Sequence, residues 1–160
     1  MIIVADTSPI NYLILIEQID LLPHLYGRII IPTAVLEELR SEDAPTPVRT
    51  WMSRLPEWLD VRMPAGVYDT VLATMDPGER EAIALALELN ATYLIADDLV
   101  ARSEALRRRL KVVGTLGILR AAAREDRINF PVTLNRLLET SFRVDANLIR
   151  FLLDEESARG

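Results

Sequence analysis

The chain has 160 residues, half of them hydrophobic, and a formal net charge of −6. This length is enough for one domain with a sizeable core. Cysteine is absent and His24 is the only histidine, which excludes thiol nucleophiles, Cys/His zinc sites, Ser-His-Asp triads and disulfides. The acidic balance argues against a general, strongly bound nucleic-acid partner, because affinity for the phosphate backbone depends on clustered Lys and Arg.

The hydrophobic residues are not arranged as membrane or export signals. The N-terminal stretch lacks the basic flank and long apolar core of a signal peptide. No apolar run approaches the length of a membrane span. We therefore expect a soluble, cytoplasmic protein without a membrane partner.

Strand-like apolar runs alternate with helix signals, the pattern of a parallel sheet covered by helices on both faces. The predicted strands are 2–5, 29–31, 93–96 and 111–113, and 59–63 is either a short edge strand or an extended segment. The predicted helices begin near 8, 33, 48, 77, 98, 115, 131 and 145. Ser8 is predicted to cap the first helix. The sequence thus predicts a three-layer α/β/α domain over 1–160, with a core at 1–120, terminal helices at 121–160, and a mostly parallel sheet of about four or five strands.

Acidic residues stand where several of these apolar elements end. Asp6 follows the first strand, and Asp97 follows the strand that begins at Tyr93. Because the carboxyl ends of parallel strands border the crevice where α/β sheets bind ligands, we expect these two side chains to meet. Glu38 and Glu79 lie on helices that can reach the same crevice.

Carboxylates that gather in one place need compensation. At about 4 Å and an effective dielectric near 20, two of them repel by roughly 4 kcal/mol. The remedies are raised pKa values or a shared divalent cation. Several hard oxygen donors suit Mg²⁺ or Mn²⁺ better than zinc, so the pattern predicts one of these two metals.

Helical position separates the candidate glutamates. Glu38 falls at the rim of the apolar face of its helix. In the helix that starts at Pro77, Glu79 falls near the middle of the apolar arc and Glu81 on the opposite side. Glu79 also fits a capping box with Asp76, and Asp98 fits an N-cap of the next helix, so ordinary capping is the alternative interpretation.

Four segments together resemble the PIN-domain family. They are IIVADTSPINYL, IIIPTAVLEEL, DPGEREAIALALELNATYLIADD and VVGTLGIL, in an order and spacing similar to those of prokaryotic PIN-like proteins related to VapC-type toxins. The resemblance covers roughly residues 1–120. It implies a PIN-like fold and a ribonuclease that uses one or two Mg²⁺ or Mn²⁺ ions.

The resemblance also assigns roles to residues. It implies that Asp6, Glu38 and Asp97 are catalytic metal ligands. The fourth ligand is Glu79 or, as the alternative, Glu81, and Asp98 is a further alternative. Ser8 occupies a position from which a hydroxyl can orient the first carboxylate. The other reading is a PIN fold without turnover that serves as an RNA- or protein-binding scaffold.

Two expectations concern partners. Arg102 and Arg107 lie on the helix after Asp97 and have two readings, an RNA-backbone groove or a solvated face paired with Glu104. The terminal helices carry more apolar residues than a small domain easily covers, which predicts a homodimer. The family resemblance adds a small antitoxin protein as a possible partner.

Overall fold

The computed structural model describes residues 1–159 and contains a five-stranded, fully parallel sheet, which confirms the predicted fold class. The strands are β1 Ile3–Ala5, β2 Ile29–Pro32, β3 Leu59–Arg62, β4 Tyr93–Ile95 and β5 Val112–Val113. Their order across the sheet is β3-β2-β1-β4-β5. The chain therefore builds outward from β1 on one side, and then returns to build on the other side.

Ten helices connect and flank these strands within residues 1–159. They are α1 Thr7–Leu15, α2 Leu21–Tyr26, α3 Thr33–Arg40, α4 Thr46–Met52, α5 Thr70–Ala73, α6 Pro77–Glu88, α7 Leu99–Arg107, α8 Thr115–Arg124, α9 Phe130–Leu138 and α10 Ala146–Arg159. None of them is both long enough and apolar enough to cross a membrane.

Two hydrophobic cores lie on the two faces of the sheet. Successive strand residues belong to different cores: Ile3 and Ala5 pack with α1, α4 and α8, whereas Val4 packs with α6 and α7. This division follows from the alternation of side chains along a strand. Both faces are covered, so the strands read as continuous apolar runs rather than alternating ones.

The first helix begins one residue before the predicted cap. Asp6, not Ser8, is the N-cap of α1, and its Oδ1 accepts the amide of Thr7 at 2.7 Å. Ser8 is therefore the second residue of the helix. α1 ends at Leu15 and Glu17 takes a left-handed φ of 59°, so Ile19 lies in the turn between α1 and α2.

The terminal helices close the larger core. Leu134, Leu137 and Leu152 are buried, and Phe142 packs edge-on against Tyr12 with ring centroids 5.1 Å apart. Most of the apolar residues that predict an interface are thus used inside one chain. The exceptions on α10 are Leu148 and Phe151, which are 41% and 54% exposed.

Candidate active site

The acidic residues meet at the point where the strand order reverses. β1 pairs with β4 in register Ala5↔Ile95, so both strands end at the same level. The amide of Asp6 donates to the carbonyl of Ile95 at 2.8 Å, which continues the sheet by one residue and fixes the carboxylate at its edge. Such a switch point is where open α/β sheets bind ligands.

Asp6 is a buried acid in an unfavourable electrostatic setting. Its side chain is 6% exposed. Burial, together with repulsion from Glu38, Asp97 and Asp98, raises its pKa from 3.8 to about 6, although the Thr7 amide acts in the opposite direction. The carboxylates of Glu38, Asp97 and Asp98 therefore lie close enough to Asp6 to repel its charge.

Glu38 enters the crevice from α3 and is held at both carboxylate oxygens. Its Oε2 accepts the hydroxyl of Thr7 at 2.6 Å, and its Oε1 accepts the amide of Gly78 at 3.1 Å. A Cβ at Gly78 would overlap Oε1, so a larger residue there would displace the Glu38 carboxylate. The start of α6 therefore binds a carboxylate from α3.

Glu79 is the carboxylate with the least support. It accepts no hydrogen bond from residues 1–159, and the predicted capping box is not formed, because Asp76 caps α6 without a side-chain bond. Burial and repulsion from Asp98, Asp6, Asp76 and Glu38 raise its pKa from 4.5 to about 7. A proton or a cation at Glu79 would relieve this repulsion.

Glu81, the alternative to Glu79, is bound by the start of α3. Its Oε1 accepts the hydroxyl of Thr33 at 3.0 Å and the amide of Ala34 at 3.1 Å, so it caps the first turn of α3. The prediction that it faces away from the packed side of α6 is wrong, because α6 is covered by α3 as well as by the sheet. Glu81 already has protein donors, whereas Glu79 does not.

Asp97 forms the opposite wall of the crevice. Its Oδ1 accepts the amide of Thr115 at 2.7 Å, and its Oδ2 accepts the Thr115 hydroxyl at 2.6 Å. Burial raises the pKa of Asp97, and the two bonds from Thr115 and the charge of Arg102 partly oppose that rise. A Cβ at Gly114 would lie 2.4 Å from Arg102 Nη1 and 2.9 Å from Asp97 Oδ1.

Asp98 caps α7, as predicted. Its Oδ2 accepts the amide of Ala101 at 3.0 Å, and the side chain is exposed. It also faces the crevice, since it contributes to the raised pKa values of Asp6 and Glu79. Asp98 therefore adds negative charge to the site from its rim.

The two threonines that orient carboxylates were missed by the sequence analysis. Thr7 and Thr115 each follow a strand end by two residues, a position that is visible in the sequence but common in turns. Ser8, the predicted orienting hydroxyl, makes no side-chain hydrogen bond within residues 1–159, and Asp6 is instead held by the main chain of Thr7. Because Asp6 caps α1, the hydroxyl that orients a crevice carboxylate comes from Thr7 and not from Ser8.

The two candidate RNA-binding arginines have different surroundings. Arg107 pairs with Glu104 at 2.5 Å on the exposed face of α7, which confirms the salt-bridged reading for this residue. Arg102 instead donates from Nη1 to the carbonyl of Ala96 at 3.0 Å and lies beside Asp97. Of the two, only Arg102 belongs to the crevice.

The donor set suits a hard cation, although it is not arranged as a closed metal site. No group of three or more His, Asp or Glu side chains within residues 1–159 converges in ligand geometry. Asp6, Glu38 and Asp97 each accept protein hydrogen bonds, and Glu79 accepts none from residues 1–159. The oxygen chemistry and the raised pKa values of Asp6 and Glu79 fit Mg²⁺ or Mn²⁺.

The fold and the crevice define an α/β protein with an acidic site at a topological switch point. The sequence matches the PIN-domain family DUF3368 over residues 2–157. The chain belongs to the PIN-domain family, which confirms the resemblance. Members of this family are typically nucleases, and they usually use divalent metal ions.

A solved structure agrees with this assignment at the level of the fold. A PilT N-terminus domain protein from the hyperthermophilic archaeon Sulfolobus solfataricus P2 superposes with a TM-score of 0.51 at 20% identity. The match covers 91% of this chain and 100% of that one. Comparison with curated proteins finds no match.

Proposed function

We propose that this protein is a divalent-metal-dependent endoribonuclease that hydrolyses RNA phosphodiester bonds at the acidic crevice. The observation that carries the proposal is the concentration of like charge at the switch point, where burial and repulsion raise the pKa of Asp6 to about 6 and of Glu79 to about 7. None of the ion pairs within residues 1–159 includes either carboxylate. A site that keeps like charges unpaired at a cost in stability is a candidate functional site.

The residues divide into ligands and positioning groups. Asp6, Glu38, Glu79 and Asp97 are the proposed catalytic residues and would hold one or two Mg²⁺ or Mn²⁺ ions. A bound ion of this kind supplies charge neutralisation at the scissile phosphate and activation of water. Thr7 orients Glu38 and Thr115 orients Asp97, so that the oxygens face the crevice in fixed directions.

The biological setting that we propose is a toxin–antitoxin pair. Exposed apolar side chains on α7 support a protein partner, since Leu99, Val100 and Leu106 are 78%, 68% and 57% exposed. A homodimer, a small antitoxin protein, or both would cover such a surface. RNA is the proposed substrate, with Arg102 near the scissile bond.

A non-catalytic scaffold is the second candidate. It is favoured by one observation, that Asp6, Glu38 and Asp97 are each engaged by protein donors and do not converge as a ready metal site. A scaffold with the same fold would bind RNA or protein and would not need a cation. Metal affinity therefore separates the two candidates.

Calorimetric titration with Mn²⁺ near neutral pH, together with cleavage of an end-labelled RNA, tests the proposal. We expect the wild-type protein to bind Mn²⁺ and to cleave only when Mg²⁺ or Mn²⁺ is present. Asp97→Asn should lose both properties, and Asp20→Asn, at an exposed position outside the crevice, should retain both. A wild-type protein that binds RNA but neither binds Mn²⁺ nor cleaves would be the scaffold.

A further inference from the structure

A cavity of about 590 Å³ continues from the crevice along the Asp97 side. It lies between the start of α7, the end of β5, α8 and the loop that leads into α10. Asp97, Arg102 and Gly114 border both the cavity and the crevice. A chain bound across the crevice on this side would therefore lie next to the cavity.

The walls of the cavity are aliphatic. Leu99, Leu116 and Leu148 contribute side chains, and Leu99 and Leu148 are 78% and 41% exposed. Phe142 closes one end, where its ring is already packed against Tyr12. The cavity has the size of a small-molecule site, and its apolar walls can pack against a planar ring.

Charged side chains provide the polar part of the cavity, and they are three arginines and the two carboxylates of Asp97 and Asp145. Arg120 is paired with Glu155. Arg143 donates from Nη1 to the carbonyls of Thr140 and Phe142, both at 2.9 Å, and Arg102 donates to that of Ala96. Arg143 thus has a fixed position and no ion pair within residues 1–159, so its charge remains available to an anion, whereas the charge of Arg102 is partly offset by Asp97.

We infer that this cavity binds the nucleotide next to the scissile phosphate, with its base between Leu99, Leu116 and Leu148 and a backbone phosphate at Arg143. The inference rests on the proposed ribonuclease function. A nucleotide combines an apolar ring face with an anionic group, which is the combination that the cavity presents. The base contacts give the site a nucleotide preference, and the arginine gives general affinity for the backbone.

Binding of a fluorescent single-stranded RNA, measured by anisotropy in EDTA over a series of salt concentrations, tests the cavity without catalysis. Arg143→Gln should weaken binding and lower the slope of log affinity against log salt by about 0.7, the value for one phosphate contact. Leu99→Ala should weaken binding by about threefold with an unchanged slope, because only apolar contact is lost. Arg127→Gln and Leu106→Ala, both exposed and outside the cavity, are the matched controls.

The outcomes separate the cavity from the catalytic proposal. If both cavity variants show these effects but the wild-type protein cleaves no RNA with Mg²⁺ or Mn²⁺, the nucleotide site stands and the nuclease proposal fails. If the wild-type protein cleaves RNA but both variants bind like their controls, the inference is overturned and a protein partner becomes the better occupant. Absence of wild-type binding in EDTA also overturns it.

Discussion

Carboxylates in two neighbouring regions of this molecule have opposite electrostatic surroundings. On the outer face of α7, Glu104 and Asp69 bind Arg107 and Arg108, and the pKa of each acid is lowered, that of Asp69 to about 2. In the crevice, Asp6 and Glu79 face other acids, and their pKa values rise to about 6 and about 7. The chain has many arginines, so the crevice acids are unpaired because the fold places those arginines elsewhere.

The strongest test of this contrast is removal of one crevice acid. Asp6→Asn keeps a helix N-cap but removes a proposed metal ligand. Loss of a residue that only supports a metal ligand already costs up to about a hundredfold in activity, so we expect RNA cleavage by Asp6→Asn to fall by more than that. Asp69→Asn removes an arginine-paired acid and should leave cleavage unchanged. Equal activity of the two variants in a cleavage assay would show that the crevice charge has no catalytic role.

A second comparison uses two glutamates of one helix. Glu79→Gln should reduce Mn²⁺ affinity by about tenfold or more in a calorimetric titration, because the Glu79 carboxylate has no protein donor and is free to bind the ion. Glu81→Gln should leave Mn²⁺ affinity unchanged and lower the free energy of unfolding by about 1 kcal/mol, because it weakens the cap of α3. The opposite pattern would assign the ligand role to Glu81.

The raised pKa of Asp6 predicts how stability depends on pH without metal. The native protein binds more protons than the unfolded chain between pH 3.8 and about 6, so the contribution of Asp6 to stability is lost as pH rises through that range. Asp6→Asn should therefore raise the free energy of unfolding at pH 7.5 in EDTA by roughly 2 kcal/mol and by much less at pH 4.5.

The pH result has a control of opposite sign. The pKa of Asp69 is lowered by Arg108 and by main-chain amides, so its contribution is present above pH 3.8 and is lost as pH falls toward about 2. Asp69→Asn should therefore destabilise the protein slightly at pH 7.5. Denaturant titrations in which both variants shift in the same direction would contradict the contrast between the two regions.

The smallest expected effect concerns a positioning hydroxyl. Thr115→Val removes the bond from the hydroxyl to Asp97 Oδ2 and keeps the main-chain bond to Oδ1. We expect cleavage to fall by about tenfold and the pKa of Asp97 to rise further, since one stabilising donor is lost. Thr115→Ser keeps the hydroxyl and loses the methyl group, so both values should stay close to those of the wild-type protein. If the side chain acted only through packing, Thr115→Ser would be impaired and Thr115→Val would not.

The sequence predicts the sheet and the acids that lie directly at strand ends. Asp6 and Asp97 follow from the pairing of parallel strands, because their position depends only on where an apolar run stops. Glu79 follows from the helical arc. These features are local, and the topology then brings them together.

What the sequence does not predict depends on contacts between elements. Glu81 was assigned to an outer face because a helical arc shows only one packed side, whereas α3 covers a second side of α6. Thr7 and Thr115 find their carboxylates only after α3 and β4 are in place. The prediction that Ser8 caps α1 is wrong because Asp6 and Ser8 can both cap this helix, and Asp6 is the residue that does so.

The starts of α3 and α6 are joined by a reciprocal exchange of carboxylates. Glu38 of α3 accepts the first-turn amide of Gly78, and Glu81 of α6 accepts the first-turn amide of Ala34. Fraying of either helix start breaks a hydrogen bond to the other, so we expect the two ends to open together. We therefore expect widening of the crevice for an incoming chain to come from the side formed by α7 and α8. In hydrogen exchange, the amides of Ala34 and Gly78 should open together.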